Sequence, residues 1–185
     1  MTFAVQEARI GYGNVASVDP GITPPGSQSS TLIPTPPYKL GQIVRAWDPT
    51  FGEGEFIYLQ GVASTVVGIC VTYSPTTFIT TLLPSTANLS QPIAVAMSAS
   101  DGTAGNKFGW YQIGGLATVL KTAVKVDPAS TRRMYISGTT GRLMQTSAAG
   151  KNILGCASAN AATVTSTTST VVCSINRPHA QGPIT

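Results

Sequence analysis

The carboxylates in closest proximity along this chain are Glu53 and Glu55, in the run Gly52-Glu53-Gly54-Glu55. In an extended backbone, residues two apart share a face, so the pair could shuttle a proton or hold a hard cation. The flanking glycines favour a different reading, a solvated hairpin tip leading into the next strand. A glycosidase would rest on these two residues alone. The one histidine, His179, lies among prolines in Asn176-Arg177-Pro178-His179. A nucleophile–base pair needs its base rigidly held and oriented by a third group, and a C-terminal tail offers neither. Cys70, Cys156 and Cys173 lie far apart in the sequence, lack any Cys-x-x-Cys spacing and fall in apolar runs. They read as small buried hydrophobes and not as a zinc site or a disulfide framework. The glycines near Trp110 and in Thr139-Thr140-Gly141-Arg142 match neither phosphate-loop nor dinucleotide spacing. No enzyme and no cofactor or metal is expected.

Four aromatics, Trp47, Tyr58, Trp110 and Tyr111, could stack against sugars, although aromatic side chains in strands more commonly fill cores. Charge narrows the partners further. Charged residues are 10% of the 185 and the net charge is +4, against roughly 25% charged in an ordinary soluble domain. Arg132-Arg133 is an isolated basic pair, and basic and aromatic residues do not interleave. Nucleic acid is therefore not an expected partner. The most apolar run, residues 62–73, is too short for a membrane helix and is broken by Ser64, Thr65 and Gly68. Residues 1–7 lack a basic segment followed by an apolar one, so synthesis in a reducing cytoplasm without a leader is expected.

The elements that must carry these side chains are strands. Residues 108–118 form the most aromatic window. As a strand, Phe108, Trp110 and Gln112 point one way and Tyr111 and Ile113 the other, with Gly114-Gly115 supplying a bulge or turn before a second strand at Leu116. Further short strands are expected at 42–47, 55–60, 66–73, 76–83, 93–98, 116–121, 123–126, 133–137, 142–145, 153–158 and 171–175, divided by Gly, Pro, Asn and Asp. Residues 161–170 read as a loop or a Thr-rich edge strand. No long window shows helical periodicity. The fold class is all-β: a β-barrel or β-sandwich body over residues 38–176, with a C-terminal tail at 177–185. Phe56, Tyr58, Trp110, Ile113 and Cys173 are the expected core.

Residues 1–37 differ in kind. Pro20, Pro24, Pro25, Pro34, Pro36 and Pro37 forbid a helix or a central strand and favour an extended Pro-rich arm. The arm carries Phe3, Ile10, Tyr12, Ile22, Leu32 and Ile33, more apolar residues than a free linker needs. It reads either as a loose tail or as an arm lying on a neighbouring subunit. These six residues, with Trp47 and Tyr111, are the candidate interface.

Several runs resemble the capsid cement, or head decoration, proteins of tailed bacteriophages. They are Gln42-Ile43-Val44, residues 54–64 from Gly-Glu-Phe-Ile-Tyr-Leu-Gln onward, Ile93-Ala94-Val95-Ala96-Met97-Ser98 and residues 108–117. Met134-Tyr135, Gly141-Arg142, residues 153–157 and residues 171–175 continue the pattern. The resemblance covers roughly residues 40–176. It implies a non-enzymatic β-protein on the outer surface of the virion capsid, bound to the major capsid protein. It also implies a homo-oligomer, a trimer more than a dimer. The alternative from the aromatics is a carbohydrate-binding β-module on a virion surface. Removal of residues 1–37 is expected to leave a folded body with weakened capsid binding.

Overall fold

The computed structural model describes residues 4–5, 15–16, 18–19, 35–100 and 107–183. Among them there is no helix, and twelve strands join one branched antiparallel sheet. These are β1 (Ala4–Val5), β2 (Val18–Asp19), β3 (Ile43–Asp48), β4 (Gly52–Gln60), β5 (Cys70–Tyr73) and β6 (Thr80–Leu82). β7 (Ile93–Ala96), β8 (Phe108–Leu120), β9 (Arg133–Ile136), β10 (Leu143–Met144), β11 (Asn152–Ser158) and β12 (Thr170–Ala180) follow. The main path runs β1-β3-β4-β8-β12-β11-β9-β10, while β2 and β7 also pair with β8, and β5 and β6 hang on β7. The sheet curls into a half-barrel, the all-β class the alternation predicts.

β8 is the central strand, and it is unbroken. Residues 108–120 run as one element through Gly114-Gly115. The glycines form a bulge: Glu55 pairs with Gly114 while Phe56 pairs with Gln112, so Ile113 is the extra residue. Gly115 has φ +91°, and an added Cβ would lie 2.4 Å from the Glu53 carbonyl oxygen. Only glycine fits there. The buried Gln112 amide fastens the bulge, its Nε2 donating to the carbonyls of Gly114 at 3.0 Å and Leu116 at 2.9 Å.

Both faces of β8 are covered, each by its own layer. Phe108 and Trp110 join Tyr58, Phe56, Val44 and Val15 in one core. The Tyr58 and Trp110 rings meet at 5.0 Å, and Tyr38 closes edge-on against Tyr58 at 5.1 Å. On the opposite face Tyr111 and Ile113 pack with Ile57, Leu59, Val71 and Ala96. A third core fills the space between β7, the end of β8 and β9–β12, and it gathers Cys70, Cys156 and Cys173. Phe56, Tyr58, Trp110, Ile113 and Cys173 are each at most 2% exposed.

Tyr111 corrects the expectation of an interface side chain. Opposite Ile57 in the ladder, it points under the layer of β5 and β7 and is 3% exposed. The C-terminal boundary also moves. β12 runs through residues 177–180, where a tail was expected. Between the pairs Cys156–Ile175 and Leu154–His179, β12 carries three residues against one on β11. That bulge accommodates Pro178, which has no N–H to donate, and the φ of +43° at Arg177. At the other end, described residues of the arm belong to the chain's own sheet. β1 pairs with β3, β2 pairs with β8, and Val15 is 1% exposed in the Trp110 core.

Two expected strands are shorter than their apolar runs, for a local reason. Gly68 at φ +81° turns the chain before β5, its N–H bonding the Ala96 carbonyl and its own carbonyl receiving the Leu120 N–H. Val66 and Val67 are left outside at 46% and 53% exposure. Phe78, at φ +57°, likewise delays β6 to Thr80. Residues 123–126 form only a bridge, Val126 to Val164. Asp48 opens a turn as its position before Pro49 predicts, its Oδ1 accepting from the N–H groups of Thr50 at 2.8 Å and Phe51 at 3.0 Å.

Candidate functional site

β3 alternates in and out of the Trp110 core: Val44, Ala46 and Asp48 are buried, so Ile43, Arg45 and Trp47 face outward together. Nothing described covers this face, and Ile43 is 42% and Trp47 47% exposed. The antiparallel register sets Arg45 opposite Glu55 and Trp47 opposite Glu53. The expected sharing of one face by Glu53 and Glu55 holds, and the face carries cations as well as acids.

Arg45 reaches Glu53 at 3.7 Å and Glu55 at 3.4 Å. From the far side of the sheet path, Arg177 reaches the other oxygen of Glu55, also at 3.4 Å. The glycine bulge is what lets this happen. Gly114 pairs with Glu55 of β4 and with Asn176 of β12, so the row between the two strands has no side chain at its centre. A Cβ at Gly114 would lie 3.2 Å from the Glu55 Cβ. Glu55 therefore leans across β8 to an arginine 122 residues away in sequence. The result is a shallow groove of about 360 Å³, floored by Gly114 and Gly115 and walled by Arg45, Glu53, Glu55 and Arg177.

Both carboxylates are ion-paired, Glu55 accepting from Arg45 and Arg177 and Glu53 lying near Arg45, and His179 is elsewhere, paired with Leu154 in the β11–β12 ladder. Two arginines and two glutamates make a network without net charge, beside two exposed apolar side chains. Exposed ion pairs of this kind are individually weak, on the order of 0–1 kcal/mol. Their value to a contact is that both partners are already held in place.

Of the expected interface residues that are described, only Trp47 lies on this face. Phe3, Ile10, Tyr12, Ile22, Leu32 and Ile33 lie outside the described residues. Of the four aromatics considered as a sugar platform, Tyr58, Trp110 and Tyr111 are buried in two different cores, so Trp47 is the single exposed ring among them. Ile43, Arg45 and Arg177 were missed as site residues. The alternation of Ile43-Val44-Arg45-Ala46-Trp47 was the available signal for the first two; nothing local announces Arg177.

The cysteines, remote in sequence, meet in the fold as free thiols. Burial pushes the Cys70 thiol well above its ordinary pKa, and a hydrogen bond with Cys156, followed by burial, does the same for Cys173. Such thiols are inert packing groups. Among the described residues no three His, Cys, Asp or Glu side chains converge to hold a metal ion. Asp127 is a turn residue, held below its ordinary pKa by the Ala129 N–H and by Lys125 at 3.2 Å. Comparison with family models, curated proteins and solved structures finds no match to the chain.

Proposed function

We propose that this chain is a capsid decoration protein that binds the outer surface of a tailed-phage head as a homo-oligomer, a trimer more than a dimer. In this reading it is made in the host cytoplasm and reinforces contacts between major capsid subunits on the virion. The observation that carries the reading is the β3 face, on which Trp47 and Ile43 are exposed beside a prepaired Arg–Glu network and which nothing among the described residues covers. Large aromatic and Arg side chains dominate the energetics of protein contacts, and centrally placed ones become anchors once water is excluded. The resemblance of residues 40–176 to cement proteins supplies the partner. The charge-poor, Ser/Thr-rich composition agrees, because such a surface loses little side-chain entropy on docking. Repetition over a lattice then multiplies a modest contact into a strong one.

The test is binding of purified protein to expanded, undecorated phage heads. The double variant Ile43→Ser, Trp47→Ala is expected to keep the parental melting temperature and to bind at least about tenfold more weakly. Parental occupancy by this variant would remove the β3 face from the reading. A glycan-binding module is the second reading, and the exposed Trp47 with polar neighbours is what favours it. Hits on a glycan array that disappear in Trp47→Ala, with no binding to heads, would put that reading first.

A further inference from the structure

The basic side chains are divided very unevenly along the fold. Residues 35–100 carry two Lys or Arg against three acids, whereas residues 116–183 carry seven against one, Asp127. That single acid is committed to Lys125 and to the Ala129 N–H. With Arg177 taken by Glu55, Lys125 by Asp127 and Lys121 buried, Arg132, Arg133, Arg142 and Lys151 leave the lobe built from the end of β8 and β9–β12 cationic, and it holds a second groove, of about 420 Å³. Arg133 and Tyr135 of β9, Asn152 and Leu154 of β11, Gln181 and the turn at 147–150 line it.

The lining has a definite chemistry. Leu154 is 54% exposed, more than any other large hydrophobic residue described, and lies where the β9–β11 register shifts between Asn152 and Ala157. Arg133 forms no ion pair among the described residues, so its planar donors are available to a carboxylate. Asn152 adds a polar side chain to the wall between Arg133 and Leu154. An apolar foothold and a guanidinium without an ion pair within one groove fit an extended polypeptide with a carboxylate beside an apolar side chain. A nucleic acid fits less well, since one arginine is the only cation in the lining and the exposed anchor is aliphatic.

We propose that the groove between β9 and β11 is a docking site for an acidic, extended protein segment, distinct from the β3 face and independent of the head-decoration reading. The test is an amide-resolved NMR titration of the full chain with a blocked synthetic peptide carrying one leucine flanked by two glutamates on each side. A lysine-for-glutamate peptide, a serine-for-leucine peptide and a mixed-sequence single-stranded DNA serve as competitors. Shifts confined to residues 133–135, 147–154 and 181, weakening with added salt, are expected for the first peptide. Arg133→Glu and Leu154→Ser should each weaken binding about tenfold or more, as the serine-for-leucine peptide should. Both side chains are exposed, so the variants should melt like the parent; Arg133→Gln provides a milder check if one does not. No shifts, shifts elsewhere, equal binding of the lysine peptide, or tighter binding of the DNA would each overturn the proposal. So would a change in sedimentation with Arg133→Glu, which would make a second copy of the chain the occupant. No phage head enters the experiment, so failure to decorate heads leaves this result standing, and the reverse.

Discussion

At the scale of single residues, the molecule turns on positions that lack a side chain. Gly115 sits at φ +91°, with the Glu53 carbonyl where a Cβ would be, and Gly114 leaves the row that Glu55 crosses to reach Arg177. A Gly115→Ala variant must either strain the left-handed backbone or push β4 away. We expect it to lose about 2–4 kcal/mol in urea unfolding. Glu55→Gln, which removes the carboxylate but leaves the backbone alone, should lose no more than about 1 kcal/mol. Equal effects of the two would mean that the ion pairs from Glu55 to β3 and β12 stabilise the sheet as much as the glycine bulge does. The two-faced reading of Trp110 and Tyr111 was legible from period-two alternation. That both faces would be buried was not, because alternation distinguishes sides without saying what lies on each.

At the scale of elements, β8 organises the body by pairing with β4, β12, β7 and β2 along its length. The aromatic window announced a central strand, and Gln112 explains why two glycines do not end it: its amide binds carbonyls on both sides of the step. The N-terminal elements change what a truncation should do. Val15 packs against the core of Phe108 and Trp110, and β1 and β2 pair with β3 and β8. Removing residues 1–37 should therefore lower the urea midpoint as well as any binding, since burial of one valine alone stabilises by about 1.5–3 kcal/mol. A truncated chain with the parental midpoint would show that β1, β2 and Val15 contribute nothing to the fold. The proline spacing made an extended segment legible; which surface that segment covers depends on contacts across the sheet.

At the scale of the whole molecule, buried ionisable groups make stability depend on alkaline pH. Cys70 and Cys173 bind their protons more tightly folded than unfolded, as does Tyr111, whose hydroxyl is raised by burial. Above the ordinary thiol pKa of 9.0 the unfolded chain releases protons that the folded chain keeps, so stability falls as pH rises. Lys121 acts in the opposite sense. It is 1% exposed, its ammonium donates to the carbonyls of Thr122 and Val124, and burial lowers its pKa from 10.5. Its contribution rises with pH below that value. Two thiols titrate in the unfolded chain against one amine, with the phenol adding only near pH 10.0 and above, so the urea midpoint should drop between about pH 8 and pH 10. The drop should flatten in a Cys70→Ala, Cys173→Ala variant. A midpoint independent of pH in the parent would contradict the burial of these thiols.

The amino-acid sequence determined the strand character, the turns at Asp48 and Asp127, the two faces of β8 and the apolar nature of the cysteines. All of these follow from side-chain alternation and local backbone preference, which act within a few residues. Tertiary structure decided the rest. It brought Arg177 over Gly114 to Glu55, collected three cysteines into one core, enclosed Tyr111 and left Trp47 and Leu154 open. It also divided the molecule into a near-neutral face at β3 and a cationic lobe at β9–β12. These depend on which strands pair and in what register, and a ladder joining residues about fifty to sixty positions apart leaves no trace in the local pattern of either strand.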